Sequence, residues 1–156
     1  MNLVAIVSMI VLVIIDQWTK VWAVRTLGSG MDIYLWKNVF HLHYIPNYGA
    51  AWGIFSGKQL FLIIITVLII LGMLCYMIQL PKTKWEKWYK ASFVLIISGA
   101  IGNLMDRIAL GYVRDFLYFI LIDFPIFNVA DILVVCGVGL LIVILFIGEH
   151  EEEKEV

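Results

Sequence analysis

Four apolar stretches, residues 3–24, 60–80, 89–106 and 127–147, dominate this chain of 156 residues. Each approaches the roughly 20 apolar residues that a helix needs to cross the hydrocarbon of a bilayer. In lipid every backbone N–H and C=O must find its partner inside the protein, and a helix satisfies that condition within one segment. A membrane protein built on four helices follows. The third stretch is the least pure. The first lacks a basic leader and an A-x-A-like exit, and it continues through Asp16-Gln17-Trp18-Thr19-Lys20, so it reads as a retained span rather than a signal to be removed.

Composition agrees. Hydrophobic residues make up 63% of the chain and charged residues 15%, against roughly 45–50% apolar usage in soluble domains. A formal net charge of -1 supplies no basic field, which excludes nucleic acid as a partner. Cys75 and Cys136 fall inside spans as small hydrophobes, and indicate neither a disulfide framework nor a cysteine metal site.

The connection 81–88 and the start of the next span carry Lys82, Lys84, Lys87 and Lys90, which the positive-inside rule places in the cytoplasm. Both termini, including the acidic tail 148–156, then share that side, and loops 25–59 and 107–126 lie outside. In the first outer loop, 31–36 and 38–44 alternate and are rich in aromatic and β-branched residues, predicting a small sheet on the outer leaflet. In the second, 116–122 is apolar but too short to span, and Pro125 follows as a breaker; an interfacial or strand-like segment is expected. No repeat is visible, and residues 1–156 read as one domain.

In this topology the intramembrane polar residues gather near the outer side: Asp16 and Lys20 on the first span, Asn103, Asp106 and Arg107 on the third, Asn128 and Asp131 on the fourth. An ionisable group at the bilayer centre costs roughly 2.5–3.5 kcal/mol even on lenient scales, so such residues are functional candidates by default. Asp16 and Lys20 are spaced i,i+4, as are Asn103 and Arg107, and each pair shares a helix face. The bland reading has Asp16 and Lys20 satisfying each other, and Arg107 pairing with a carboxylate. Gly99 and Gly102 form a small face for close helix packing. Asn47-Tyr48-Gly49-Ala50-Ala51-Trp52-Gly53 reads either as a structural turn or as a contact for an extended substrate, with Asn47 offering donor and acceptor. His41 and His43 would share a strand face but lack an evident third metal ligand.

Asp115 and Asp131 stand sixteen residues apart across the second outer loop. Two carboxyls sharing a low-dielectric pocket tend to hold one proton between them, leaving one as base and the other as acid. Such a pair can activate water against a peptide carbonyl. Asn128, three residues before Asp131, can bond to a carboxyl without adding charge. The structural alternative has one aspartate capping the fourth helix and the other paired with Arg107 or Arg114.

The strings Asp16-Gln17-Trp18-Thr19-Lys20, Asn47 to Gly53, Gly99 to Arg107, Val113-Arg114-Asp115-Phe116 and Phe127-Asn128-Val129-Ala130-Asp131 occur in order along nearly the whole chain. Together they resemble the motifs of the signal peptidase II family, the bacterial lipoprotein signal peptidases, which are intramembrane aspartic proteases. The resemblance implies a four-helix membrane core with an extracytoplasmic β-cradle in the first outer loop. It implies Asp115 and Asp131 as the catalytic dyad, with Asp16, Lys20, Asn47, Gly49, Asn103, Arg107, Asn128 and Ala130 supporting the site or binding substrate. It also implies a diacylglyceryl-modified prolipoprotein as substrate, cut just before the lipidated cysteine, and sensitivity to globomycin-type cyclic peptides. No cofactor and no metal are expected. The expected setting is the bacterial cytoplasmic membrane, with the enzyme a monomer among membrane lipids. A small proton-coupled transporter or channel subunit is the rival class, but it should line a path through the bilayer, whereas residues 60–80 are almost wholly apolar.

Overall fold

A computed structural model of the chain describes residues 3–50, 53–80 and 82–152. Ala51 and Trp52 of the outer-loop motif, Pro81, and 153–156 of the tail lie outside the described residues. Helix α1 (Leu3–Leu27) leads into strands β1 (Ile33–Trp36) and β2 (Phe40–Asn47). Helices α2 (Gln59–Gln79) and α3 (Glu86–Leu110), strand β3 (Val113–Phe119) and helix α4 (Val129–Glu152) follow. Four helices are long and apolar enough to cross a membrane, and the fold is the expected four-helix core with a small antiparallel sheet. Helix α3 outlasts its apolar stretch at both ends. It stops only where Gly111 takes φ 78° and returns its N–H to the Arg107 carbonyl at 3.2 Å, a left-handed stop that favours glycine.

The helices are inverted relative to those of a soluble protein. On α1, Ala5, Met9, Asp16, Lys20, Ala23 and Leu27 are buried on one face, while Val7, Ile10, Val11, Ile14 and Trp18 are exposed. An apolar residue gains little by leaving lipid, so the buried stripe is free to carry small and polar side chains. Helix α3 is central, packing on α1, α2 and α4. A Cβ on Gly99 would strike the Ala130 carbonyl, one on Gly102 the Asp16 carboxylate, and one on Gly137 would lie 2.6 Å from Ile96 Cγ1 and 2.9 Å from the Ser92 carbonyl. Ser92 Oγ donates to the Gly137 carbonyl at 2.8 Å, tying α3 to α4 at the same crossing.

The sheet has the order β1-β2-β3, all antiparallel. Its register sets Ile45 opposite Asp115, Pro46 opposite Arg114 and Asn47 opposite Val113. Asn47 and Asp115 are therefore diagonal neighbours on one face, within reach of each other. The amides of Phe116 and Leu117 both donate to the Phe127 carbonyl, at 3.0 and 2.8 Å, and so fasten the start of α4 to β3. Ala23, Leu27, Leu42 and Phe116 form an apolar cluster that seats the sheet on the end of α1. The two histidines take separate partners: His41 packs edge-on against Tyr34, and His43 Nδ1 meets Asp32 Oδ1 at 2.5 Å.

Gly137→Val should lower the thermal unfolding midpoint of the detergent-solubilised protein, because overpacking a tight crossing costs about 1–3 kcal/mol. Gly139→Ala, which has nothing within 4 Å of the added methyl, should not lower it. Melts followed by tryptophan fluorescence test the pair, and equal midpoints would count against this packing.

Candidate active site

Asp16 and Lys20 lie one turn apart on α1, and Lys20 Nζ meets Asp16 Oδ2 at 2.9 Å. The same ammonium donates to Asn103 Oδ1 at 2.8 Å and lies 3.5 Å from Asp106 Oδ2, both on α3. Asp16 Oδ1 accepts the backbone N–H of Ala130 at 2.9 Å, which brings in the first turn of α4. The close fit of Gly102 to this carboxylate and to the Ala130 methyl explains why residues this small stand here. Asp16, Lys20 and Asn128 are 0% exposed, and Asp106 and Asp115 1%, so no bulk water compensates these charges.

Asn128 stands at the head of α4. Its Oδ1 accepts the Asp131 N–H at 3.1 Å, and Asp131 Oδ2 accepts the Asn128 N–H at 3.0 Å. This reciprocal box satisfies two donors that the helix start would otherwise leave open. Asn128 Nδ2 then points outward, to Asp115 Oδ1 at 2.6 Å and to Asn103 Oδ1 at 3.1 Å. Asn103 Nδ2 donates to Asp131 Oδ1 at 2.8 Å, and Asn47 Nδ2 to Asp115 Oδ2 at 2.9 Å. Every amide orientation is forced. Lys20 has only protons to give, so Asn103 must turn its oxygen to it, while the backbone N–H groups of Asp131 and Gly49 demand the oxygens of Asn128 and Asn47.

Asp131 thus caps its helix, as the structural alternative held, yet its carboxylate also faces Asn103. Asp115 pairs with neither Arg107 nor Arg114; its oxygens accept from two asparagines. Burial pushes the Asp115 carboxyl up to about 7, the charge of Asp131 adds to that rise, and the hydrogen bonds of Asn47 and Asn128 oppose it. Its proton is therefore exchangeable near neutrality.

Arg107 corrects the bland reading, in which it pairs with a carboxylate. Its Nη2 donates to the Gly49 carbonyl at 3.0 Å and its Nε is buried without a partner, while Asp131 and Asp115 are the largest favourable electrostatic influences on it. The reason is geometric: the Asn47 side chain accepts the Gly49 N–H at 2.9 Å, and the turn so formed presents the Gly49 carbonyl to the guanidinium. A Cβ on Gly49 would meet Gly53 and Ile54 backbone atoms at 2.8 Å, so only glycine fits.

All ten residues singled out by the sequence are thus brought into one connected site. Gln17 and Arg114 belong to it as well, although the site residues read from the sequence do not include them, and so does Asp106, which the sequence placed among the intramembrane polar residues of the outer side. Arg114 donates to Asp106 through Nη2 at 2.6 Å, Nε at 3.1 Å and its backbone N–H at 3.0 Å. Gln17 Nε2 reaches the Gly102 carbonyl at 3.0 Å and Asp106 Oδ1 at 3.3 Å, while its Oε1 accepts from Arg114 Nη2 at 2.8 Å. For Gln17 and Arg114 the signal available was adjacency, since each lies beside a singled-out residue. Among the described residues no group of three or more His, Cys, Asp or Glu side chains could hold a metal ion.

The charges balance in two sets. Asp16 and Asp106 offset Lys20 and Arg114. Arg107 offsets one negative charge on the Asp115–Asp131 pair, while burial of Asp115 and repulsion from the Asp131 charge oppose ionisation of the second carboxyl. A neutral carboxyl beside a carboxylate, in a site shielded from bulk water, is an acid and a base placed together.

Comparison with known proteins gives this geometry a family. The model of the family described as "Signal peptidase (SPase) II" matches residues 8–147. A lipoprotein signal peptidase of Clostridium tetani is 46% identical over 154 residues, covering 97% of each chain. One of Lactococcus lactis subsp. cremoris is 39% identical, covering 98% of this chain and 99% of the relative. A solved structure described as a bacterial membrane enzyme superposes with a TM-score of 0.81 at 33% identity, over 92% of this chain and 87% of that one. Matched in sequence almost from end to end and in fold across all four helices, the chain belongs to the signal peptidase II family.

Proposed function

We propose that this protein is an aspartic endopeptidase that removes the signal peptide from diacylglyceryl-modified prolipoproteins, cutting just before the lipidated cysteine. Asp115 and Asp131 are the dyad. The observation that carries the reading is Asn128, which bonds to both carboxylates at once, through Nδ2 to Asp115 and through its backbone N–H to Asp131. One carboxylate removes a proton from water as the water attacks the scissile carbonyl, and the partner carboxyl gives its proton to the developing oxyanion. Collapse of the adduct passes a proton to the departing nitrogen, freeing the amino group of the lipidated cysteine and the carboxyl end of the signal peptide. Arg107, whose Nε is buried without a partner and whose charge is coupled to both carboxylates, is the donor available to charge developing on the carbonyl oxygen.

The names of the relatives support a prolipoprotein substrate, and a signal peptide is itself a membrane helix that can reach a site at the ends of α3 and α4. The lysine-rich loop supports an orientation with both termini in the cytoplasm and the dyad near the outer leaflet of the bacterial inner membrane. Globomycin-type peptides would occupy the same carboxyl pair.

Purified enzyme should cleave a diacylglyceryl-modified propeptide with a chelator present, and Asp115→Asn or Asp131→Asn should each cut the rate by about 10²–10⁴-fold or more, the range of lost acid–base catalysis. Full activity in either variant would remove the dyad assignment. Chelator-sensitive activity restored by metal would replace it with metal chemistry.

Activity should also fall as pH rises through about 7, the value to which the Asp115 carboxyl is raised. The working form holds one proton on the pair, and raising pH removes it, leaving two carboxylates and no acid. A kcat profile flat from pH 6 to 9 would contradict the shared-proton mechanism.

A further inference from the structure

The ion pair behind the dyad touches no atom that the reaction uses, yet the chain neighbours of its two members both face the dyad. Asp106 precedes Arg107, whose charge is coupled to Asp131 and Asp115. Arg114 precedes Asp115. Side chains alternate along a strand, so fixing Arg114 on one side of β3 directs Asp115 to the other. Three donors of Arg114 converge on the two oxygens of Asp106, and Gln17 closes the arrangement from α1.

We propose that Arg114 is a positioning residue for the peptidase reaction: clamped by Asp106 and Gln17, it holds Asp115 and Arg107 against the Asp131 side of the site and keeps Lys20 bonded to Asn103. The second half of that role follows from the distances. Lys20 Nζ lies 2.8 Å from Asn103 Oδ1 and 3.5 Å from Asp106 Oδ2. While Arg114 neutralises Asp106, Lys20 can serve Asn103, which in turn holds Asp131. Without Arg114, Asp106 becomes a buried carboxylate with Lys20 as its nearest cation, and the ammonium is drawn away from Asn103. Such a carboxylate is too costly to leave uncompensated.

The charged and titratable groups around this clamp come from every element packed on it: Asp16 and Lys20 on α1, Tyr44 on β2, Arg107 on α3, Asp115 on β3 and Asp131 on α4. Tyr44 is bonded to Tyr112 and remains neutral, its proton affinity raised by burial and by that bond. Lys20 favours the ionised form of Asp115, as Arg107 does through its own coupling to that carboxyl. Retreat of Lys20 makes Asp115 keep its proton to higher pH.

This inference rests on the peptidase reading above, and its test is built to separate the two. Wild type, Arg114→Gln, Arg114→Lys and Gln17→Met are purified in nanodiscs. Cleavage of the diacylglyceryl propeptide is followed from pH 5 to 9, and the Asp115 carboxyl is titrated in parallel by ¹³C NMR, which needs no turnover. Arg114→Gln should lower kcat about 10–100-fold with KM within about twofold, a loss expected of misplaced reacting groups. Its alkaline limb and the Asp115 titration should both move to higher pH. Arg114→Lys should recover part of the loss, and Gln17→Met should shift both readouts in the same direction by less. A lowered unfolding temperature with kcat and titration unchanged in the folded variants would overturn the proposal, as would a rise in KM alone. An inactive wild type with the titration shift intact would sink the peptidase reading and leave the clamp standing.

Discussion

One ammonium group carries the interior of this protein. Lys20 is wholly buried, and moving such an ion out of water costs several kcal/mol unless partners replace its hydration. Asp16, Asn103 and Asp106 replace it, and in doing so they draw α1 and α3 together at a single depth. Asp16 reaches on to the N–H of Ala130 and sets α4 against both helices, which leaves room only for a glycine at 102. Lipid supplies no hydrophobic drive for helices to associate. A polar knot of this kind supplies both attraction and register.

The register matters because the two carboxyls arrive by different routes. Asp131 is set by the helix start that it caps, a local matter of three residues. Asp115 is set by a strand whose partner, β2, lies about seventy residues earlier in the chain, and by the Phe127 carbonyl that binds β3 to α4. Asn128 reconciles the two, with its main chain serving one carboxylate and its side chain the other.

How much of this could be read from the residues depended on the range of the interaction. The spans, the Asp16–Lys20 pair and the proximity of Asn128 to Asp131 follow from length and from i,i+3 or i,i+4 spacing. Local periodicity dictates them. The contact between Asn47 and Asp115 could not be read from spacing, because it depends on strand register with an irregularity between Leu42 and Ile45. Arg107 was legible as a cation at the outer end of the third span but not in its partner, since its acceptor is a main-chain carbonyl presented by a turn. Arg114 and Gln17 passed as neighbours of more conspicuous residues, and only the pairing across α1, α3 and β3 reveals what they hold.

The forced orientations of the asparagines have a further consequence. Protons travel through proteins along groups that can accept on one side and release on the other, as imidazoles, carboxyls and water do. Carboxamides at neutral pH do neither. Every path among described side chains from Lys20, Asp16 or Asp106 to Asp115 or Asp131 passes through Asn103 or Asn128, or through the main-chain amide of Ala130. The shell therefore steadies charge while blocking its passage. A proton exchanged with the pair must come from a side other than the Lys20 knot, since among the described residues only carboxamides and a main-chain amide join the two.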